Sequence, residues 1–219
     1  MRPLPRWTGV RAVVLDVDGT VVDSADGIVA GFRHALEAVG VTPPGDDVLR
    51  SDVGPPLVTL LPALGVPSER LAEAVTAYRT FYLQEGLRRA TPYEGVLGLL
   101  ERLGEEYALG TATAKRTDVA VAILEAHGLA RCFEVVNGLA DDHPTKAATL
   151  AQTLELLGGV DASEAVMVGD RHSDVAAGRA VGTRTVGVLW GYGSRAELED
   201  AGVDVLLEHP SELADLLLG

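Results

Sequence analysis

From Pro92 onward, short apolar runs alternate with helix-length stretches, and this alternation restricts the fold more than any other feature of the chain. Residues 107–111, 133–136, 165–168, 185–189 and 203–206 read as strands. Helical stretches separate them at 93–103, 117–127, 146–157, 173–181 and 198–202, and another, 211–218, closes the chain, with Gly128 and Gly182 as stop signals. Strands that alternate with helices predict right-handed crossovers and a parallel sheet. One more strand, 10–15, stands apart near the N-terminus. After it the chain reads as helical up to Arg89. Ile28, Val29, Phe32, Leu36 and Val39 keep a helical period, with Ser24 or Asp23 as the cap. Residues 42–67 are rich in Pro and Gly, and 68–86 form a second long helix capped by Ser68. The expected architecture is an α/β core of residues 1–23 and 90–219, interrupted by a helical insertion at 24–89 whose ends act as hinges.

Composition narrows the possible functions. The 219 residues include 47% hydrophobic side chains, enough for a real core. No apolar run reaches the ~20 residues that span a bilayer, and residues 1–9 read as a short disordered lead-in rather than a signal peptide. A single cysteine, Cys132, excludes an intrachain disulfide, fits a cytoplasmic location, and reads as a small buried hydrophobe. The net charge of -14, without a dense Lys/Arg cluster, makes nucleic acid polymers and anionic membranes poor partners. The same charge repels a phosphorylated substrate, so a site for one needs its own cations. The oligomeric state is read only as monomer or homodimer.

Ligands of open parallel sheets bind outside the C-terminal strand ends, and the chemically informative residues fall there repeatedly. Asp16 and Asp18 follow the first strand, Thr113 and Lys115 the second, and Asp170 and Asp174 the fourth, while Lys146 opens a helix. A lone acid after a strand is usually a helix cap. Four acids converging on one edge repel one another and call for a cation. Hard oxygen ligands suit Mg²⁺, and no Cys or His pair has zinc spacing. Asp16, at the immediate strand end, is the candidate nucleophile, and attack by it gives an acyl-phosphate. Asp18 can protonate the leaving group and later activate water. Lys146 and the cation neutralise charge, while the Thr113 hydroxyl and the amides of Asp18, Gly19 and Ala114 are candidate phosphate donors. Lys115 and Arg116 are assigned to solvent.

Four segments, taken in order, resemble the haloacid dehalogenase-like hydrolase superfamily: Asp16-Val-Asp-Gly-Thr20, Thr113 in Thr-Ala-Lys, Lys146, and Gly169-Asp-Arg-His-Ser-Asp174. The resemblance implies a Rossmann-like parallel sheet core with an inserted helical cap domain that closes over it and selects substrate. It implies Asp16 as nucleophile, Asp18 as acid/base, and Mg²⁺ on Asp16, the Asp18 carbonyl and Asp170, with Asp174 assisting. Trp190-Gly-Tyr-Gly-Ser194 and Thr91-Pro-Tyr-Glu-Gly95 are similar to segments of the phosphoglycolate phosphatase branch. Val53-Gly-Pro-Pro-Leu57 and Tyr82-Leu-Gln-Glu-Gly86 resemble a subgroup of 5′-nucleotidases. Ala114 departs from the Asn or Ser usual in relatives.

The implied reaction is Mg²⁺-dependent hydrolysis of a small phosphorylated metabolite. Asp18 argues against a dehalogenase, which lacks the second acid. The absence of lysine from 23–89 argues against a phosphonatase, which needs a cap lysine. A 5′-nucleotidase, a sugar phosphomutase and a catalytically silent binding protein are the alternatives. Arg33, Arg50, Arg88 and Arg89 are candidates for holding a second anion of the substrate.

Overall fold

The computed structural model describes residues 6–140 and 143–219. Met1–Pro5, part of the expected lead-in, and Asp141 and Asp142, in the loop before Lys146, lie outside the described residues. Residues 6 and 7 depart from that expectation. The Trp7 N–H donates to the Leu216 carbonyl (2.9 Å) and Arg6 donates to that of Leu218 (3.0 Å), which ties the chain down before its first strand.

In chain order the elements are β1 (Ala12–Leu15), β2 (Val22–Asp23), α1 (Ala25–Ala38), α2 (Asp46–Ser51), α3 (Leu57–Ala63), α4 (Leu71–Gln84), β3 (Thr91–Pro92), α5 (Val96–Gly104), β4 (Ala108–Thr111), β5 (Thr113–Arg116) and α6 (Thr117–Ala126). They continue with β6 (Gly138–Leu139), α7 (Lys146–Leu156), β7 (Ala165–Gly169), α8 (His172–Val181), β8 (Arg184–Val188), α9 (Arg195–Asp200), β9 (Val205–Leu207) and α10 (Pro210–Leu217). The chain divides into two compact units, residues 1–22 with 92–219 and residues 23–91. Among the described residues no helix is long and apolar enough to cross a membrane.

The first unit is built on a five-stranded sheet in the order β4-β1-β7-β8-β9, and every pairing in it is parallel. Its central strands are buried along their whole length, as a sheet covered on both faces requires. On one face Val14 and Met167 pack with Leu150 and Leu154 of α7 and Ala177 of α8. The resulting structure is the mixed α/β fold with a central parallel sheet that the alternation predicts.

In the second unit, α1 and α4 pair through Phe32, Tyr78 and Tyr82, whose rings lie 5.5 Å (Phe32–Tyr78) and 5.6 Å (Tyr78–Tyr82) apart. Arg70 donates to the Val39 carbonyl (3.0 Å), satisfying an orphan acceptor just past the end of α1. Asp23 is the side chain that caps α1, accepting the Ala25 N–H at 3.2 Å. Ser68 does not cap α4. It lies inside a preceding 3₁₀ turn, and its hydroxyl donates to Glu69.

Three further expectations are corrected. Residues 133–136 form no regular strand. Val135 makes a single parallel bridge to Gly110, and beyond it the Thr111 hydroxyl takes over the ladder, accepting from Asn137 N–H (2.8 Å) and donating to Asn137 O (2.9 Å). Helix α5 starts at Val96 and not at residue 93, because Gly95 is left-handed (φ 80°) and a helix cannot run through it. Cys132 is only half-buried, in the 3₁₀ turn Ala130–Cys132, and burial pushes its thiol above the ordinary value.

Candidate active site

The register of three strands assembles the site. Leu15 of β1 pairs with Thr111 of β4 on one side and Val168 of β7 on the other. Asp16 follows at once, and Thr113 and Asp170 each come two residues past the paired positions, so all three stand at the C-terminal edge of the sheet. Asp16 is fixed from several directions. Its N–H donates to the Val168 carbonyl (2.9 Å), and the Val17 N–H donates to its Oδ1 (2.7 Å). Helix α7 opens with Lys146 because Thr145 caps it, its Oγ1 accepting the Ala148 N–H at 3.2 Å. From there Lys146 Nζ donates to Asp16 Oδ2 (2.6 Å) and to Asp174 Oδ1 (2.7 Å). Asp174 also caps its own helix, its Oδ2 accepting the Arg171 N–H at 2.9 Å.

Asp16, Asp170 and Asp174 each offer a carboxylate oxygen, and the three oxygens lie within 4.8 Å of one another. All three residues are buried. Burial first, then the charges of Asp174 and Asp16, pushes the Asp170 carboxyl up to about 8. Burial likewise raises Asp174 to about 6 against the opposing pull of Lys146. Burial alone would lower the Lys146 ammonium, but Asp16 and Asp174 hold it well above its ordinary range. One ammonium against three carboxylates leaves surplus negative charge in a dry place, a donor set that fits a hard divalent cation. The Asp18 carboxylate is not among the three.

Asp18 instead pairs with Lys115, whose Nζ lies 2.9 Å from its Oδ2 with the two side chains 10% and 15% exposed. This corrects the assignment of Lys115 to solvent. Residues 113–116 form the short strand β5, pairing with β6, and this extended stretch carries the lysine inward while Arg116 stays exposed beside Asp118. A second correction concerns Gly19. Its N–H donates to the Val22 carbonyl (2.9 Å) and is therefore engaged within the turn rather than available to a phosphate. Gly19 contributes room: it is left-handed (φ 74°), and a Cβ there would meet Asp170 Oδ2 at 2.3 Å. Thr113 is buried, with its Oγ1 accepting the Lys115 N–H at 3.3 Å, and Ala114 follows it in β5.

The family profile described as haloacid dehalogenase-like hydrolase matches residues 13–188, which include every one of these groups. The chain belongs to that family. The hydrolase is similar to the tyrosine-protein kinase PtkA of Mycobacterium tuberculosis, with 38% identity over 94% of this chain and 71% of that protein. It is similar to the pyrophosphatase PpaX of Bacillus velezensis, with 34% identity over 93% of this chain and 94% of that one. Among solved structures, the haloacid dehalogenase-like hydrolase SP0104 of Streptococcus pneumoniae superposes with a TM-score of 0.88 at 29% identity, covering 94% of this chain and 98% of that chain. The chain is thus an enzyme of the phosphatase type within its family.

Sequence reasoning missed the loop that holds Asp170 in this hydrolase. The Tyr192 N–H donates to Asp170 Oδ2 (2.7 Å), and the Trp190 indole N–H donates to the Thr20 carbonyl (3.0 Å). A Cβ on Gly193 would lie 1.7 Å from the Asp170 carbonyl oxygen, so no larger residue fits that approach. Two glycines flanking Tyr192 were the available signal. Glu197 was missed as well. Its Oε1 accepts from Arg171 Nε (2.9 Å), the His172 N–H (2.9 Å) and His172 Nδ1 (2.8 Å), clamping the start of α8. Burial would raise this carboxyl, but the bonds from His172 and Arg171 hold it down at about 2. His172 is the first residue of α8 and is directed to Glu197.

Proposed function

We propose that this hydrolase is a Mg²⁺-dependent phosphatase that cleaves a small phosphomonoester through an aspartyl-phosphate on Asp16. The observation that carries the reading is the Lys146 ammonium shared between Asp16 and Asp174 within a buried three-carboxylate cluster. Asp16, Asp170 and Asp174, with the Asp18 carbonyl that the family resemblance implies, would hold the cation. When bound, it supplies positive charge to the phosphoryl oxygens.

The remaining chemistry belongs to the chain. Lys146 orients Asp16 Oδ2, leaving a carboxylate anchored by the Val17 N–H as the attacking group. The Asp16–phosphorus bond forms as the ester P–O bond breaks, and Asp18 gives its proton to the departing oxygen. Water then attacks phosphorus, Asp18 takes a proton from it, the Asp16–phosphorus bond breaks, and inorganic phosphate leaves. The Thr113 hydroxyl and the Ala114 amide are assigned to the phosphoryl oxygens. The helical unit, residues 23–91, is assigned the substrate-selecting role of a cap domain. Phosphoglycolate is the first substrate to test because of the similarity of Trp190–Ser194 and Thr91–Gly95 to that branch. A 5′-nucleotidase and a sugar phosphomutase are the alternatives within the same chemistry.

The mycobacterial relative supports a second reading, in which the phosphoryl group is delivered to a protein tyrosine. One panel separates the readings. Phosphate release is measured from phosphoglycolate, nucleoside monophosphates, sugar phosphates, pyrophosphate and p-nitrophenyl phosphate, with Mg²⁺ and with EDTA, beside transfer from labelled ATP to a tyrosine peptide. Mg²⁺-dependent release that Asp16→Asn abolishes supports the phosphatase. Label on tyrosine without phosphate release supports the kinase, and no turnover of either kind supports the silent binding protein.

A further inference from the structure

We propose that Lys115 is a specificity-determining residue that reads a negative charge on the leaving group. The substrate class is then a phosphomonoester whose alcohol half carries a carboxylate or second phosphate close to the ester oxygen. The inference rests on the phosphatase reading above, in which Asp18 faces the leaving group. A general acid must come within ~2.6–3.2 Å of the oxygen it protonates. Lys115 Nζ is itself 2.9 Å from Asp18 Oδ2, so an oxygen protonated by Oδ2 and the ammonium share that carboxyl as a neighbour and lie within about 6 Å of each other, in reach of a charge on the alcohol half.

The placement of the ammonium follows from the backbone. Thr113 and Arg116, on either side of it, are paired with Gly138 and Leu139 of β6. The Lys115 N–H donates to Thr113 Oγ1 (3.3 Å), and a Cβ on Gly138 would lie only 2.3 Å from the Lys115 carbonyl oxygen. The turn that presents Thr113 therefore also sets the root of the lysine side chain. Electrostatics gives the placement its meaning. The other buried ammonium of the site, Lys146, is divided between Asp16 and Asp174. An anionic alcohol half enters a protein of net charge -14, and like charges oppose its binding unless a cation stands beside it. Of the four candidate arginines of the helical unit, Arg33 pairs with Asp46 and Arg50 with Asp26, both exposed, and Arg89 lies over the Phe81 ring. A lysine that only neutralised Asp18 would favour no particular leaving group, and that is the distinction to test.

The experiment uses the full chain with Mg²⁺ and compares kcat/KM for phosphoglycolate, ethyl phosphate and phosphoethanolamine, which have anionic, neutral and cationic leaving groups of similar size. The wild type is expected to prefer phosphoglycolate over ethyl phosphate by about tenfold or more, the span of one charge-assisted hydrogen bond, with phosphoethanolamine slowest. Lys115→Met slows both of the first two, because Asp18 loses its partner, but it slows phosphoglycolate further and brings the ratio toward one. Lys115→Arg keeps the preference. A wild type that handles ethyl phosphate as well as phosphoglycolate overturns the proposal, as does an equal fractional loss on both substrates in Lys115→Met. The wild-type comparison and Lys115→Arg decide the matter if Lys115→Met fails to fold. Hydrolysis of p-nitrophenyl phosphate without any charge preference defeats this inference alone. No phosphate release from any of the four esters defeats the phosphatase reading and this inference with it.

Discussion

Replacing Asp170 by Asn should stabilise the metal-free protein at alkaline pH. Asp170 is fully buried, its Oδ2 accepts the Tyr192 N–H (2.7 Å), and its Oδ1 accepts from Thr20 Oγ1 (3.4 Å). Burial and the neighbouring Asp174 and Asp16 raise its carboxyl from the ordinary 3.8 to about 8. Between those two values the folded protein holds a proton that the unfolded chain has released. Stability therefore falls as pH rises through that window, by up to about 1.4 kcal/mol per pH unit. From pH 6 to pH 8 the loss is about 2–3 kcal/mol, or about 5–10 °C in Tm for a chain of this size. Asn has the shape of the protonated acid and keeps an acceptor for Tyr192, so Asp170→Asn should lack this slope. The assay is thermal or urea unfolding in EDTA at pH 6, 7 and 8 for both proteins. Saturating Mg²⁺ should restore the wild type at pH 8 by about 3 kcal/mol at a hundredfold excess over Kd, and should do much less for the variant. A wild type whose metal-free stability is flat or rises from pH 6 to 8, or an Asn variant that follows it, would refute the reasoning.

Other consequences follow from the same contacts. Lys146→Met removes the one ammonium bridging Asp16 and Asp174, so it should end turnover and cost about 3–5 kcal/mol in urea unfolding; a fully active variant would contradict the bridging role. Asp18→Asn should slow esters with poor leaving groups more than p-nitrophenyl phosphate, because only the former need the proton, and equal losses in a leaving-group series would count against the acid assignment. Glu197→Gln should cost about 2–3 kcal/mol at neutral pH. The Glu197 carboxyl is held at about 2 against an ordinary 4.5, so its contribution is present above 4.5 and fades as pH falls toward 2. The variant should therefore match the wild type near pH 2, and a constant offset across acid unfolding curves would disprove the clamp.

The sheet edge was legible because strand ends announce themselves: Leu15, Thr111 and Val168 each close a buried apolar run, and their pairing carries Asp16, Thr113 and Asp170 to one level. Lys146 was legible for a related reason, since Thr145 marks where its helix must begin. What escaped was decided by tertiary contact. The two-residue partner β6 that makes 113–116 a strand, and so turns Lys115 toward Asp18, has no periodic signal of its own. Residues 133–136 were read as a strand, but past Val135 the Thr111 hydroxyl takes the place of the main chain in bonding Asn137. Gly19 was expected to offer its N–H to phosphate, yet Val22 takes that donor inside the same turn. Gly193 had a local signal in the two glycines flanking Tyr192, but Glu197 acts through the Arg171–His172 pair, far away in sequence, and no pattern around it points to the site.

The central claim is a covalent phosphoryl group on Asp16, and one chemical trap reads it directly. The enzyme is acid-quenched during turnover of a good substrate with Mg²⁺ and reduced with borohydride, which converts an aspartyl-phosphate to homoserine while leaving free carboxylates unchanged. Peptide mass spectrometry then locates the product. The account predicts homoserine at position 16 in turning-over wild type and none in Asp16→Asn or in enzyme without substrate. Homoserine at Asp18, Asp170 or Asp174, or its absence from wild type quenched while phosphate is being released, would contradict it.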